Sequence, residues 1–288
     1  MPSVASHTSL ALAALISAAA GQTYVDLNFS NNVQPATQMY PNNSTLGPYY
    51  TSEPSLDFAN AGTYNGIGID VRVSQIGLTD GETSNLRPTS TYEWVGWIPD
   101  YNTSAGSDDL GVYYRHDGNY SQETGGIAWS MSFYEAGSNF SVPVTLPGVR
   151  FLIYDHDGEP YQSESIRAFG SDGLVGYQLH NNSEISVVDE NGNLRFDSRG
   201  SNHLETTADG GMILYYNNVS SVRFDWFATT QFGLAPESHG IFAAIDGNLG
   251  LTNGSTNGFG NFVPVPEPST ALLTGAAAAG MALRRRRC

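Results

Sequence analysis

The stretch Ile69-Asp70-Val71-Arg72-Val73 has apolar residues at its odd positions and polar residues at its even ones. The same alternation recurs later in the chain, with apolar residues at the even positions, in Val222-Arg223-Phe224-Asp225-Trp226. A period of two is typical of a β-strand with one buried face and one solvent-facing face. The chain shows no helical periodicity outside its two ends, so these stretches predict an all-β fold.

Similar short segments recur along the chain, separated by clusters of Gly, Asn, Asp, Ser and Pro that are typical of turns. The predicted strands are Tyr24–Phe29, Gly68–Gln75, Thr91–Ile98, Gly111–Arg115, Ile127–Tyr134, Gly148–Tyr154, Ile166–Ala168, Leu174–Leu179, Ile185–Val188, Gly211–Tyr216, Ser221–Ala228 and Gly240–Ile245. The turn signals include Asp117-Gly118, Asp157-Gly158, Asn191-Gly192 and Asp246-Gly247. Many short strands with regular turns favour an antiparallel β-sandwich of jelly-roll-like topology.

The predicted β body spans residues 21–247 as one domain, and a division near Ser138–Val142 is the alternative. The Asn- and Gly-rich residues 248–264 are predicted to form a flexible linker. Residues 1–20 and 265–288 have the character of addressing segments, so they are set aside from the fold.

The composition is acidic and almost free of cysteine. The 288 residues carry a formal net charge of −16, and lysine is absent. The electrostatic field of so negative a chain repels nucleic acid and anionic lipid, which makes nucleic acid an unsuitable partner. The single cysteine is Cys288, so a disulfide within the chain and a cysteine-based zinc site are both excluded.

Residues 1–20 are predicted to be a signal peptide with a helical core. The apolar run Leu10–Ala20 has the length of a signal-peptide core and is too short to span a bilayer stably. Ala18 and Ala20 supply small residues at positions −3 and −1 for cleavage before Gly21. A buried N-terminal helix is the alternative interpretation.

The other end of the chain has three parts in a fixed order. Val265-Pro266-Glu267-Pro268-Ser269 is followed by an apolar segment, 270–283, and then by Arg284-Arg285-Arg286-Arg287. This arrangement resembles the PEP-CTERM sorting signal, which is also catalogued as an ice-binding-protein C-terminal domain. The resemblance covers residues 265–288. It implies a Gram-negative-type bacterium with secretion machinery and an exosortase, a membrane enzyme that processes such tails near the Pro-Glu-Pro.

The physical properties of the tail agree with this resemblance. Pro266 and Pro268 disfavour a helical conformation in the residue that precedes each of them. From Ser269 to Leu283 a helix at ~1.5 Å per residue would span roughly 22 Å, against a hydrocarbon core of ~30 Å. The sequence therefore predicts a short transmembrane helix that anchors transiently, with its basic cluster in the cytoplasm and the body outside. A soluble C-terminal helix is the alternative.

One strand ends in an acidic turn, Tyr154-Asp155-His156-Asp157-Gly158. Asp155 and Asp157 would lie on one side of the turn, and Glu164 is a candidate third ligand. Calcium takes about six to eight oxygen ligands of this kind, so the turn is a candidate calcium site. A solvated hairpin turn is the competing interpretation.

The sequence gives only weak indications of other binding or catalytic sites. Trp94, Trp97, Trp129 and Trp226 could stack on sugar rings, but aromatic residues in sandwiches are more often part of the core. The six histidines show no metal-ligand spacing and are expected at the surface or in turns. The sequence has no Gly-x-Ser-x-Gly nucleophile elbow and no phosphate-binding loop.

Two functions follow from these features. The first is an exported, exosortase-sorted surface or extracellular-matrix protein with a non-catalytic body, stabilised by calcium if the acidic turn binds it. The alternative is a carbohydrate-binding or carbohydrate-active module secreted into exopolysaccharide. The expected partners are the exosortase, the secretion machinery, the membrane transiently and extracellular polysaccharide.

Overall fold

The computed structural model describes residues 23–33, 55–78, 94–101, 108–116, 124–156, 158–159, 162–198, 209–230, 239–249 and 258–265. Within these ranges the regular elements are β-strands, apart from one 3₁₀ turn at Gly170–Asp172. The predicted all-β fold is confirmed.

The strands match the predicted segments at most positions along the chain. They are β1 Ser55–Tyr64, β2 Ile67–Leu78, β3 Trp94–Tyr101, β4 Asp109–His116, β5 Thr124–Glu135, β6 Leu146–Tyr154, β7 Gly158–Glu159, β8 Gln162–Phe169, β9 Leu174–Leu179, β10 Ser186–Glu190, β11 Asn193–Ser198, β12 Met212–Val219, β13 Ser221–Thr230, β14 His239–Asp246 and β15 Val263–Pro264.

These strands form two sheets in which every pairing is antiparallel. Sheet A has eight strands in the order β1-β2-β5-β13-β8-β11-β10, with β7 beside β8, and sheet B has seven in the order β15-β9-β12-β6-β14-β4-β3. A jelly roll has about eight strands in total. The two sheets together have more strands than that, and the jelly-roll-like topology stays a prediction.

Both sheets contribute their inner faces to one core. Val71 and Val73 of sheet A and Phe151 and Ile153 of sheet B are 0% exposed and belong to the same buried cluster. Arg72, between the two valines, lies on the opposite face of β2, whereas Leu152 and Tyr154 beside Phe151 and Ile153 belong to a second apolar cluster on the other face of sheet B. Core residues lie on both sides of Ser138–Val142, so the two predicted halves share one interior.

The predicted strand Tyr24–Phe29 is corrected by the structure. Leu27 makes one isolated bridge to Gly62 of sheet A and another to Gly247, just after the last strand residue of β14 in sheet B. The segment crosses between the two sheets, so it cannot build a ladder with either. Asp246-Gly247, predicted as a turn, does make a local turn contact, because the Asp246 carboxylate accepts from the N–H of Asn248 at 2.7 Å, but Gly247 pairs with Leu27 of the N-terminal segment.

Two Asn-Gly pairs close the hairpins β1–β2 and β10–β11. Asn65 and Gly66 have φ values of 50° and 78°, and Asn191 and Gly192 have values of 60° and 93°. Positive φ at both central residues is the type I′ geometry that matches the twist of the flanking strands. The predicted turn at Asn191-Gly192 is confirmed, whereas β1 and β11 were not predicted as strands.

The predicted flexible linker, 248–264, is corrected in its last part. Val263 pairs with Tyr177 and Pro264 with Gly176, so β15 is the edge strand of sheet B. Phe259 and Phe262 pack against a second apolar cluster on the outer face of this sheet. Burial of these aromatic side chains holds the segment on the fold, which extends to Val265.

Candidate functional sites

The C-terminal edge of the body is where the predicted sorting motif begins. Val265 is 5% exposed, and its N–H donates to the carbonyl of Val175 at 2.9 Å. The rest of the motif, Pro266–Ser269, the basic cluster Arg284–Arg287 and the predicted signal peptide lie outside the described residues. None of the helical structure described for the chain is long and apolar enough to cross a membrane.

Phe262 anchors this edge. Its ring lies directly over Gly176, where any Cβ would collide with it, and it meets Tyr215 edge-on with centroids 5.3 Å apart. Phe259 makes a similar contact with His180 at 5.2 Å. The absence of a side chain at Gly176 is thus what lets the C-terminal segment lie flat on the sheet.

The acidic turn proposed for calcium is only partly described. Asp155 is half-buried with φ 57° at the end of β6. Glu164 is 5% exposed on β8, where Gln162 Nε2 donates to its Oε1 at 3.1 Å. Asp157 lies outside the described residues. Among the residues that the structure does describe, no three His, Cys, Asp or Glu side chains are grouped to hold a metal.

Calcium binding at Asp155, Asp157 and Glu164 stays a prediction. If the site forms, millimolar calcium raises the melting temperature of the chain by mass action on the folded state, and a chelator reverses the rise. The Asp155→Asn variant should lose this response. A melting temperature that calcium leaves unchanged would refute the site.

The tryptophan residues do not form a sugar platform where they are described. Trp97, Trp129 and Trp226 are 0% exposed, and the Trp129 ring lies 5.6 and 5.4 Å from those of Trp97 and Trp226. The interpretation of these three as core residues is confirmed. The side chain of Trp94 lies outside the described residues.

His156 was expected at the surface or in a turn; it lies in the connection from β6 to β7, but it is not at the surface. It is 0% exposed, with Nε2 2.9 Å from the carbonyl oxygen of Phe196 on the opposite sheet. Burial lowers the pKa of His156 to about 4, although the Phe196 carbonyl and the charge of Asp197 act in the other direction. The ring is therefore neutral at physiological pH and donates from Nε2.

A polar concavity of about 610 Å³ lies at one end of the sandwich. It is formed by the connection from β8 to β9 and the connection from β12 to β13, both of which cross between the sheets. Its lining residues are Gly170, Ser171, Asp172, Gly173, Leu174, Val175, Asn217, Asn218, Val219, Ser220 and Ser221. Carboxylate, amide and hydroxyl groups thus surround one hollow.

Hydrogen bonds fix the two connections to each other. The N–H of Asn217 donates to the carbonyl of Gly173 at 2.9 Å. The Asp172 carboxylate accepts from the N–H of Arg223 at 2.8 Å and from the Ser171 hydroxyl at 3.1 Å. Gly173, with φ 84°, lies so close to Asn217 that a side chain there would meet the Asn217 carbonyl.

Asp172 is the ionisable group of the concavity. Burial raises its pKa above the ordinary value, and the hydrogen bond from the Arg223 N–H offsets this only in part. Oδ1 of Asn217 is buried and has no hydrogen-bond partner in the described part of the chain. The sequence analysis missed both residues, because only their turn-like surroundings, Ser171-Asp172-Gly173 and Asn217-Asn218, give a local signal.

No protein-family model matches the chain, and no curated protein matches it in sequence. Among solved structures, the N-terminal domain of the Streptococcus gordonii adhesin Sgo0707 is similar with a TM-score of 0.47 and 14% identity, covering 78% of this chain and 63% of that one. Glucan Binding Protein C of Streptococcus mutans is similar with a TM-score of 0.38 and 11% identity, covering 66% and 56%.

This chain thus spans less than two thirds of either solved structure. Both likenesses are too weak to transfer a fold or a function. The architecture described above rests on the strand pairing of the chain itself.

Proposed function

We propose that this chain is an exported bacterial surface or extracellular-matrix protein whose β-sandwich body is not catalytic. A signal peptide at residues 1–20 exports it, and the tail at residues 265–288 sorts it through an exosortase. One observation carries the proposal. Val265 is docked on β9 and is also the first residue of the Val265–Ser269 motif, so the fold meets the sorting signal without a spacer.

This junction suits a protein that is processed at a membrane. A body joined directly to a short apolar helix is held close to the bilayer surface while the tail is in place. Cleavage near Pro266–Pro268 would come after the docked strand β15. The released body would therefore keep its edge strand and both apolar clusters, and its stability would not depend on the tail.

The sorting half of the proposal is tested in a bacterium that carries an exosortase. The full chain is expressed, the cells are fractionated, and mass spectrometry defines both mature termini. We expect Gly21 as the N-terminus and a C-terminus near Pro266–Pro268 in the surface or released fraction. Replacing Pro266, Glu267 and Pro268 together by Ala should leave the tail attached and the protein in the membrane fraction.

Pro143→Ala is the matched control, because Pro143 is an exposed proline of the body away from the motif. It should be sorted like the unmodified chain. Recovery of the unmodified chain from the cytosol with both ends intact would contradict the proposal. Defined hydrolysis of a polysaccharide at catalytic rates would contradict its non-catalytic part.

A carbohydrate-binding module is the second candidate. The polar concavity between the β8–β9 and β12–β13 connections favours it, since carboxylate, amide and hydroxyl groups are suited to sugar hydroxyls. The three buried tryptophan residues do not support it. This candidate differs from the first in requiring a ligand, and both are compatible with export.

A further inference from the structure

We propose that the polar concavity lined by Asp172, Asn217 and Ser220 binds a neutral, polyhydroxylated ligand of the saccharide class. The inference rests on the proposed function, because export would place the body among extracellular polysaccharides. It assigns that function a site and a ligand class. The site lies at the end of the sandwich where the chain crosses twice between the sheets.

The unpartnered acceptor on Asn217 is the first argument. Its Oδ1 is buried and finds no hydrogen-bond donor within the described residues. A buried acceptor without a donor is destabilising, and native structures keep few such groups. Because this oxygen has almost no accessible surface, a ligand hydroxyl would reach it only after the Asn217 side chain turns toward the hollow, and binding would then satisfy a group that the free fold leaves unpaired.

The rigidity of the two connections is the second argument. The backbone N–H of Asn217 is tied to the Gly173 carbonyl, and the Asp172 carboxylate is tied to both Ser171 and Arg223, so the backbone around the hollow and this carboxylate are held in place before any ligand arrives. A preformed site avoids the entropy cost of ordering loops on binding. The volume of about 610 Å³ lies within the range of ~300–1,000 Å³ that is usual for small-molecule sites.

The chemistry of the lining selects neutral hydroxyl groups over ions. The net charge of −16 and the Asp172 carboxylate disfavour an anionic ligand. Calcium would need about six to eight oxygens, whereas Asp172 is the one carboxylate among the lining residues and already accepts two hydrogen bonds. Its oxygens and those of the serine side chains retain lone pairs for further donors.

The lining also sets the strength of binding. Aromatic side chains are absent from the residues that line the concavity, so a sugar would gain hydrogen bonds but no stacking contact. Hydrogen bonds that replace hydrogen bonds to water each contribute little net binding free energy. We therefore expect weak binding, with a Kd of about 1 mM.

Saturation-transfer difference NMR on the purified full chain is suited to ligands of this affinity. The probes are neutral trisaccharides of glucose, galactose and mannose. We expect transfer to at least one of them, a Kd about two- to tenfold higher in Asn217→Ala, and loss of transfer in Ser220→Trp. Asn261→Ala, an exposed asparagine outside the concavity, is the matched control and should bind like the unmodified chain.

The experiments also distinguish failure of the proposed binding site from failure of the proposed function. Absence of transfer to every probe, or equal transfer in Asn217→Ala, Ser220→Trp and the control, would overturn the inference. Loss of transfer on adding a chelator would also overturn it, because a bound cation would then hold the ligand. If trisaccharides bind here while the chain stays in the cytosol, the proposed function fails and the site stands. If the chain is sorted but binds none, only the site fails.

Discussion

At the scale of single residues, the burial of His156 sets an acid limit on stability. The folded pKa is about 4, and the unfolded value is about 6.5. The unfolded state therefore binds more protons between these values, so the free energy of unfolding falls as pH falls from about 6.5 to 4. The full loss attributable to this one ring is about 3 kcal/mol.

Urea denaturation at a series of pH values measures this loss. His156→Gln keeps a hydrogen-bond donor for the Phe196 carbonyl but has no titrating ring. Between pH 6.5 and 4 the free energy of unfolding of the unmodified chain should therefore fall by about 3 kcal/mol more than that of the variant. Parallel curves for the two proteins would show that the ring is not responsible. Asp197, whose charge acts on the ring, is retained in both proteins.

The same residue shows what sequence can reveal at this scale. The pattern Asp155-His156-Asp157-Gly158 correctly placed a strand end at Tyr154. It gave no sign that the imidazole would be covered, because the cover comes from Phe196 on β11, a distant strand of the other sheet. Glu164 was missed as a buried group for the same reason, since its burial depends on packing between sheets.

At the scale of elements, a ladder of charged side chains joins β13, β8, β11 and β10 on the outer face of sheet A. Asp225 is its most buried member, with a side chain 3% exposed, and it accepts from Arg167 at 3.1 Å and from Arg223 at 3.0 Å. Asp225→Asn removes the negative charge that faces the guanidinium groups of Arg167 and Arg223. We expect a loss of about 1–3 kcal/mol in unfolding free energy, because charge-assisted hydrogen bonds at a buried carboxylate are lost while Arg167 keeps its pair with Glu190.

Asp26→Asn is the matched substitution in an exposed pair. Asp26 is 61% exposed and lies 3.5 Å from Arg150, so its loss should cost less than about 0.5 kcal/mol. Chemical denaturation of both variants at neutral pH compares them. Equal losses of unfolding free energy in the two variants would mean that burial does not determine how strongly the charged ladder stabilises the fold.

The docked C-terminal segment makes a second prediction for an element. Phe262→Ala removes the half-buried ring that covers Gly176, and we expect a loss of about 1–2 kcal/mol, below the ~3–5 kcal/mol typical of fully buried phenylalanine. Hydrogen exchange should quicken at the amide of Val265, which bonds to Val175. Phe140→Ala, which removes a ring on the other sheet, should leave exchange at Val265 unchanged, and faster exchange there would argue against local docking.

Which elements the sequence predicts depends on how regular they are. β2 and β13 were predicted because five residues in each, 69–73 and 222–226, alternate without interruption. β1 was missed because its register shifts between Phe58 and Gly62, which breaks the period of two, although Asn65-Gly66 was a usable hairpin signal. Residues 248–264 were predicted to be a linker because Asn and Gly dominate residues 248–261, and the last part of this segment is anchored by two aromatic rings, those of Phe259 and Phe262.

At the scale of the whole molecule, the concavity illustrates the limit of sequence analysis. Asp172 lies in the connection from β8 to β9 and Asn217 lies near the end of β12, and only the crossing of β8 to β9 and of β12 to β13 between the sheets brings them to one hollow. Local patterns report strands and turns well, but they do not report which turns become neighbours. The order of the strands in each sheet decides which turns become neighbours, and local sequence patterns do not reveal that order either.

The shared core predicts that the body unfolds as a unit. Phe133 before Ser138–Val142 and Phe151 after it are both 0% exposed in one cluster, and β5 pairs with β2 on one side and with β13 on the other. Neither half could keep its apolar face covered if the other unfolded. Calorimetry of the full chain should therefore show a single cooperative transition for the β body.

Matched substitutions make this test sharper. Phe133→Leu and Phe151→Leu each remove part of a buried ring and should each cost about 1–2 kcal/mol. For a body of this size each kcal/mol lowers the melting temperature by about 2–4 °C, and both variants should lower the same transition. Two resolved transitions, with each substitution moving a different one, would instead establish a division at Ser138–Val142, because only separate cores can melt independently.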